Sequence, residues 1–174
     1  AFNPTARRFQ ALRMPTIAAV NGVAAGAGAS LALSCDIAIA APSASFVQAF
    51  SKIGLVPDAG GTFLLPQRLG MARAMALAFT GDKLPADKAR EWGLIWDVAD
   101  DCVAAAHTLA ARLAHMPTQA LVATRHLLRD SVTRGFEAQL QAERDAQSAL
   151  GRSHDYFEGV EAFLEKRSPV FKGQ

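Results

Sequence analysis

Apolar segments alternate with Gly and Pro along the chain and divide it into two parts of different texture. Residues 15–61 are rich in Gly, Ala and β-branched residues, whereas residues 62–174 carry apolar positions at helical spacing. In the first part, Thr16–Val20 and Asp36–Ala41 are short apolar runs typical of buried strands, and Gly26-Ala27-Gly28 between them opens a small-residue helix. A strand, a helix and a second strand within so few residues predict an α/β unit with a crossover connection.

The remaining pattern predicts mostly helices. A first helix ends over Phe9–Met14, before Pro15. Short strands are predicted at Ser45–Phe50 and Leu94–Val98, and Asp155-x-x-Glu158 resembles a capping box that starts the last helix. The later predicted helices are Thr62–Leu69 (broken or bent at Pro66), Ala72–Thr80, Ala86–Trp92, Cys102–His115, Thr118–Asp130, Phe136–Leu150 and Phe157–Arg167.

Composition narrows the class of protein. The 174 residues suit one domain of ordinary size, and 51% hydrophobic against 20% charged residues indicates a folded chain with a core. The net charge of +2 argues against a nucleic-acid partner, and no apolar run is long enough to span a bilayer. Cys35 and Cys102 form no CxxC motif, so we expect a reduced, cytoplasmic setting, and no histidine pair has metal-ligand spacing, so we expect no metal.

The segment Asn21–Ser30 is the first candidate for chemistry. A buried strand ends, the chain turns on glycines, and a helix begins without a bulky side chain. The first backbone N–H groups of a helix lack intrahelical partners, and the helix dipole adds to their attraction for an anion. The loop could therefore hold a phosphate or a developing oxyanion. Tight packing of strand on helix explains the glycines equally well, so spacing alone leaves both interpretations open.

The same loop lacks two sharper motifs and approaches a third. The dinucleotide fingerprint fails because Leu31 stands at its third glycine position and Ala44–Lys52 holds no carboxylate, and the P-loop Gly-Lys-Ser/Thr is missing. Gly28-Ala29-Ser30-Leu31-Ala32 approaches a nucleophile elbow, so a serine hydrolase built on Ser30 is an alternative. The acid and base formally available to such a hydrolase are Asp58 and His107, His115, His126 or His154.

Asp58 is the second candidate. It is the only carboxylate between Asp36 and Asp82, and it lies among apolar residues just before Gly60 and Gly61. A carboxylate in such surroundings is a candidate general acid/base. A turn aspartate that bonds to its own backbone is the simpler interpretation from composition alone.

Several segments in order carry a resemblance to the crotonase (enoyl-CoA hydratase/isomerase) family. The chain is similar to that family over essentially its whole length. The motifs are Pro15–Gly28 followed by Cys35–Ala40, Gly54–Thr62, Thr80-Gly81-Asp82, Ala89, Trp92-Gly93-Leu94 and Phe163–Arg167.

The resemblance implies an α/β fold, a crotonase-like spiral of β-β-α units with a helical C-terminal trimerisation region. It places the C-terminal part of the spiral core at residues 1–98 and the helical region at residues 99–174. Family members have further β-β-α turns before this region, which supply the first oxyanion donor. We therefore expect little or no activity if these 174 residues are all there is.

The resemblance also assigns roles. The N–H of Ala27, beside Gly28, should be an oxyanion donor, with Asp58 as the acid/base. Family hydratases carry glutamates at the positions of Ser30 and Phe50, so one remaining carboxylate suits an isomerase, and Phe50 should keep the pocket dry. The substrate or CoA contacts implied are Ala25, Gly26, Phe50, Gly60, Gly61, Phe163 and Lys166.

Within the family, the segments Ser43–Asp58 and Gly151–Val160 especially resemble isomerases of phenylacetate degradation, which convert ring-1,2-epoxyphenylacetyl-CoA to an oxepin or shift double bonds. The resemblance implies an acyl-CoA substrate, no bound cofactor, a homo-trimer or hexamer, and neither nucleic-acid nor membrane partners. The alternatives left open are an enoyl-CoA hydratase or acyl-CoA thioester hydrolase of the same family, the serine hydrolase using Ser30, and a non-catalytic CoA-binding relative.

Overall fold

The computed structural model describes residues 2–174, which form two compact units. The first, called here the core unit, contains the chain up to Leu12 and then Thr16–Leu109, and the second, the helical unit, contains Arg13–Pro15 and Ala110–Gln174. The predicted division into a spiral core at residues 1–98 and a helical region at residues 99–174 stays a prediction. Among residues 2–174, no helix combines the length and the apolar composition that crossing a bilayer requires.

The core unit holds two three-stranded sheets. The first has the order β1-β3-β6 and is parallel throughout, with Ile17 opposite Ile37. In the second, of order β2-β4-β5, β2 and β4 are parallel and β5 is antiparallel to β4. The parallel pairing of β1 with β3 confirms the predicted crossover unit. The strands are β1 (Ile17–Val20), β2 (Val23–Ala25), β3 (Ile37–Ala40), β4 (Ser45–Val47), β5 (Lys83–Pro85) and β6 (Asp97–Val98).

The 3₁₀ helix Ala49–Ile53 follows β4. The α-helices are α1 (Asn3–Gln10), α2 (Ala27–Ser34), α3 (Gly61–Leu69), α4 (Met71–Thr80), α5 (Ala86–Glu91), α6 (Cys102–Ala114), α7 (Thr118–Asp130), α8 (Phe136–Leu150) and α9 (His154–Glu165). Helices α7 and α8 have the predicted ranges, and α3 to α6 each differ from theirs by one residue at one end.

Some predicted elements were wrong in extent. The first helix ends at Gln10, short of Met14, and α3 continues through Pro66 without a break. Strand β4 stops at Val47 because the chain enters the 3₁₀ helix, and the predicted strand over Leu94–Val98 pairs only at its last two residues. Strands β2 and β5 were missed, since three residues are too few to show alternation.

Small side chains dominate the centre of the core unit. Ala29 of α2, Ala38 of β3 and Ala86 of α5 have no exposed surface, and Leu33 and Leu94 pack around them as the largest fully buried side chains. Alanines at these places allow helices to lie close against the sheets. The core unit is thus built by close approach of backbones.

Arg68 of α3 fixes the far end of α2. One guanidinium nitrogen donates to the carbonyls of Leu33, at 2.7 Å, and Cys35, at 3.1 Å, and the other donates to the carbonyl of Leu94 at 3.2 Å. The last carbonyls of a helix lack intrahelical donors and carry partial negative charge, which a cation stabilises. Arg68 therefore holds α2 from its C-terminal end.

In the helical unit, α9 begins differently from the prediction. Its N-cap is Ser153, whose hydroxyl accepts the N–H of Tyr156 at 3.1 Å. The expected capping box was wrong, because the carboxylates of Asp155 and Glu158 hold the end of the chain instead. Asp155, only 5% exposed, accepts the N–H of Lys172 at 2.7 Å and of Gly173 at 2.8 Å. We call residues 168–174 the C-terminal strap.

Replacing Asp155 with Asn tests this attachment through its pH dependence. Burial raises the pKa of the Asp155 carboxyl, but the N–H groups of Lys172 and Gly173 and the side chain of His154 outweigh it, and the net pKa is lowered. A carboxyl whose pKa is lowered in the folded state stabilises the protein at pH values above its ordinary pKa of about 3.9. That stabilisation is lost as the pH falls through the pKa of the folded state. We expect Asp155→Asn to reduce the free energy of unfolding by roughly 1–2 kcal/mol at neutral pH.

Denaturant unfolding at several pH values measures this. The difference in the free energy of unfolding between wild type and Asp155→Asn should narrow below about pH 4, because the Asp155 carboxyl of the unfolded wild-type chain then begins to protonate. Asp145→Asn, at an exposed carboxylate of α8, is the matched control and should have little effect. A difference that stays constant from pH 7 to pH 3 would contradict the account.

Candidate active site

Gly26 is the N-cap of α2, and its backbone conformation is one that only glycine adopts readily. Its backbone has φ +53° and ψ −123°, and its N–H donates to the carbonyl of Val47 at 2.8 Å. An added Cβ would lie 3.4 Å from the tip of the Phe50 ring. The turn between β2 and α2 is therefore fixed by a bond to β4 and by an aromatic ring on top of it.

The start of α2 presents free backbone donors. The first bond of its ladder runs from the N–H of Ser30 to the carbonyl of Gly26 at 3.1 Å. The N–H groups of Ala27 and Gly28 precede that ladder and point outward from the helix end. Ala27 is half-buried, whereas Ala25 and Gly28 are exposed. An oxyanion could thus approach this end of the helix, as the sequence predicts for Ala27.

Phe50 is the buried residue of the 3₁₀ helix. It is 9% exposed, and its ring faces Gly26 at van der Waals distance. An aromatic ring there supplies apolar surface beside the N–H groups of α2 and offers no group that could bind or ionise water. The position predicted to contact substrate is therefore an apolar wall next to the helix end.

Ser30 does not lie at a strand-to-helix turn. It is inside α2 with no exposed surface, and its hydroxyl donates to the carbonyl of Gly26 at 3.4 Å. A nucleophile elbow needs its hydroxyl exposed at the turn itself. His107 lies on α6 of the core unit, and His115, His126 and His154 lie in the helical unit. The burial of Ser30 inside α2 argues against a serine hydrolase built on it.

Helix α3 packs on the first turn of α2 at Gly61. A Cβ on Gly61 would lie 2.7 Å from the hydroxyl oxygen of Ser30 and 3.1 Å from the Cβ of Pro57. No side chain larger than hydrogen fits without displacement. This contact brings the turn Pro57–Gly61, which carries Asp58, against the helix that carries Ala27. The two stretches that the sequence singled out are thereby joined.

Asp58 has an inward-facing oxygen without a partner. The residue is half-buried, and its Oδ1 is shielded from solvent and accepts no hydrogen bond from any of residues 2–174. Its backbone carbonyl closes the turn by accepting the N–H of Gly61 at 2.8 Å. Buried carboxylate oxygens are normally satisfied, so an orphaned one requires an explanation such as a catalytic role.

The residue after Asp58 was missed by the sequence reasoning. Ala59 is 2% exposed and has φ +49°, one of two positive values at non-glycine residues among residues 2–174. Gly60 follows at φ +87° and caps α3. Strained backbone of this kind persists only where packing enforces it, and it is common at functional sites. No local signal marks Ala59, because alanine carries no preference for this conformation.

Comparison with known proteins decides the family. The family model described as enoyl-CoA hydratase/isomerase matches residues 1–174. The chain belongs to the enoyl-CoA hydratase/isomerase family. Members of this enzyme family act on CoA thioesters. The resemblance noted in the sequence is confirmed over the full range of the chain.

Relatives in this family carry both isomerase and hydratase names. The chain is 55% identical to the 1,2-epoxyphenylacetyl-CoA isomerase of Escherichia coli over 99% of its own length and 67% of that protein. It is 39% identical to the 2,3-dehydroadipyl-CoA hydratase of the same organism, covering 96% of this chain and 66% of the relative. The chain therefore spans about two thirds of the length of these relatives.

A solved structure confirms the fold. Enoyl-CoA hydratase from Bacillus anthracis superposes with a TM-score of 0.94 at 34% identity, covering 99% of this chain and 68% of that one. The expected crotonase-like fold with a helical C-terminal region is thus correct. Whether that region forms a trimer stays a prediction.

Two predicted family contacts, Phe163 and Lys166, belong to the helical unit. Phe163 is 81% exposed on the last turn of α9, and Lys166 follows the helix with φ +56°. Neither is tested as a CoA contact. Within residues 2–174, no three His, Cys, Asp or Glu side chains cluster as a metal site would require.

The contact between Gly61 and Ser30 can be tested with a double-mutant cycle. Gly61→Ala should destabilise the protein by about 2 kcal/mol, because the new methyl group overpacks the junction of α2 and α3. Removing the hydroxyl in Ser30→Ala should recover part of that loss, giving a coupling of about 1 kcal/mol. Denaturant unfolding of the four proteins gives the coupling directly.

Gly28→Ala is the control for this cycle, since a Cβ there meets nothing within 4 Å. An alanine in that helical position should leave stability unchanged or raise it slightly. If Gly61→Ala lowers the free energy of unfolding by the same amount with and without the Ser30 hydroxyl, the two helices do not meet as described.

Proposed function

We propose that this protein is an acyl-CoA isomerase in which Asp58 moves the proton and the N–H of Ala27 stabilises the enolate oxygen. The observation that carries the proposal is the orphaned Oδ1 of Asp58, on a turn packed against the helix that begins at Ala27. An unsatisfied carboxylate oxygen on a turn that packs against a helix with unpaired backbone donors suits proton transfer next to a thioester.

The reaction uses one base for two steps. The Asp58 carboxylate removes a proton from a carbon activated by the thioester, and the electron pair moves into an enolate whose oxygen is held by the N–H of Ala27. The carboxylic acid then returns the proton to a different carbon, and the thioester carbonyl is restored. No atom is gained or lost, so the product is an isomer.

The surroundings of Asp58 favour isomerisation over hydration. Water addition in the family is expected to use carboxylates at the positions that Ser30 and Phe50 occupy here. Ser30 is fully buried within α2, and the Phe50 ring covers Gly26. Ile53, Leu55 and Val56, in the segment leading to Asp58, are between 60% and 75% exposed and offer further apolar surface for an acyl group.

The substrate we propose is ring-1,2-epoxyphenylacetyl-CoA or an enoyl-CoA with a movable double bond. The 55% identity to a 1,2-epoxyphenylacetyl-CoA isomerase supports this choice. Gly26, Gly60 and Gly61 would line the thioester, Phe163 and Lys166 would contact the CoA, and no further cofactor is needed. A homo-trimer or hexamer and a cytoplasmic location complete the proposal, and the free thiols of Cys35 and Cys102 fit such a compartment.

A hydratase is the second candidate, favoured by the 39% identity to 2,3-dehydroadipyl-CoA hydratase. Parallel incubations with a 3-enoyl-CoA and with a 2-enoyl-CoA in deuterated water separate the two. An isomerase converts the 3-enoyl-CoA to a conjugated 2-enoyl-CoA with solvent deuterium on carbon. A hydratase converts the 2-enoyl-CoA to a 3-hydroxyacyl-CoA. Hydration as the main reaction would overturn the proposal.

Asp58→Asn should lower kcat for isomerisation by at least about 100-fold, because the isosteric amide cannot accept the proton. Asp82→Asn, at an exposed carboxylate of the same unit, is the matched control and should keep wild-type turnover. Turnover can be followed by the absorbance of the conjugated product. Wild-type rates in Asp58→Asn would reject Asp58 as the base.

A further inference from the structure

Helix α9 ends in a motif that normally uses glycine. The N–H of Arg167 donates to the carbonyl of Ala162 at 3.0 Å and the N–H of Lys166 to that of Phe163 at 3.3 Å, which is the Schellman pattern. The left-handed residue of this motif is Lys166, with φ +56° and ψ +37°. A lysine in this conformation is strained, so the surrounding structure must hold it there.

The side chain of Arg167 supplies that hold. Its guanidinium pairs with Glu158 in a two-pronged contact of 2.6 and 3.1 Å, and with Glu165 at 2.6 Å. A weaker contact of 3.5 Å reaches Glu161. These three acids lie on one face of α9, and Arg167 folds back over that face from beyond the helix end. A bidentate arginine fixes geometry as well as charge.

Glu158 joins the same contact to the C-terminal strap. Its Oε1 also accepts the N–H of Val170 at 2.7 Å, and its side chain is 14% exposed. The hydrogen bonds from Arg167 and then from Val170 lower the pKa of Glu158 to about 2, so it stays ionised at neutral pH. Asp155 holds the strap further along at Lys172 and Gly173. The chain after Lys166 is therefore fixed at both ends of the strap.

One consequence concerns the charge of Lys166. Arg167 occupies the acids of the last turns of α9, and the Lys166 ammonium has no acidic partner among residues 2–174. The exposed ring of Phe163 lies one turn earlier on the same helix. An unpaired ammonium that extends from a fixed backbone position suits a phosphate, because no competing carboxylate must first be displaced.

We propose that Glu158 and Arg167 are positioning residues, which hold Lys166 in its left-handed conformation so that its ammonium meets the phosphates of a CoA thioester. This inference rests on the proposed function, since it takes a CoA thioester as the substrate. In this proposal Glu158 and Arg167 act only through Lys166, so the effect must appear in binding of the CoA portion and leave the chemical step unchanged.

The test compares Glu158→Gln with wild type on two thioesters of the same acyl group. One is the CoA thioester and the other is the N-acetylcysteamine thioester, which lacks the phosphates. We expect Glu158→Gln to raise KM for the CoA thioester about tenfold, with kcat unchanged. The kcat/KM for the N-acetylcysteamine thioester should stay at the wild-type value. Glu161→Gln, which loses only the 3.5 Å contact, is the matched control and should match wild type on both.

A second variant keeps the test decisive if Glu158→Gln loosens the fold. Lys166→Gly removes the ammonium and suits the left-handed conformation, so it should raise Tm by about 2 °C while weakening binding of free CoA, measured by calorimetry. In the Lys166→Gly background, Glu158→Gln should cause no further loss of CoA affinity.

Equal losses on both thioesters, or independent effects of the two substitutions, would overturn the positioning role. Wild-type behaviour of Glu158→Gln on the CoA thioester would do the same while leaving the proposed function intact. Absence of CoA binding by the wild-type protein would instead reject the proposed function, and this inference with it.

Discussion

The close contact between Gly61 and Ser30 is the constraint on which the candidate site depends. It allows α3 to lie against the first turn of α2 with no intervening side chain. Arg68 of α3 holds the opposite end of α2 by donating to the carbonyls of Leu33 and Cys35. With α2 fixed at both ends, its N-terminal N–H groups and the turn that carries Asp58 have a defined relation, which proton transfer to and from an enolate requires.

Two further contacts determine what surrounds the donors. The N–H of Gly26 is already used by Val47, and the Phe50 ring covers the turn, so the N–H groups left for a ligand are those that follow Gly26. Under the proposed function, an apolar ring and a buried serine stand where hydration would require charged side chains. The choice between isomerisation and hydration then depends on the residues around one shared oxyanion site, and the fold is common to both.

The elements with strong local signals were predictable from the sequence. The start of α2 at Gly26-Ala27-Gly28, the ranges of α7 and α8, and the isolation of Asp58 all follow from glycines, caps and periodicity. Long-range features were not predictable, because no local pattern encodes them. They include the three carbonyls bound by Arg68, the contact of Gly61 with Ser30, and the acids gathered by Arg167.

Strained backbone marks two positions whose conformation could not be recognised from the sequence. The two non-glycine residues with positive φ among residues 2–174 are Ala59, beside Asp58, and Lys166. Ala59 is next to Asp58, the proposed base, and Lys166 is itself a proposed CoA contact. Ala59 is buried, and under the inference drawn above the ion pairs of Arg167 hold Lys166, so in each case packing or charge elsewhere would sustain a conformation that the residue itself disfavours.

A crystal structure with an enolate-mimicking CoA thioester such as acetoacetyl-CoA would test the central claim most directly. The account predicts that the thioester oxygen lies about 2.7–3.1 Å from the nitrogen of Ala27. It also predicts that a carboxylate oxygen of Asp58 lies within about 3.5 Å of a carbon next to the carbonyl or conjugated with it. A thioester bound away from the start of α2, or an Asp58 side chain turned into solvent in that complex, would contradict it.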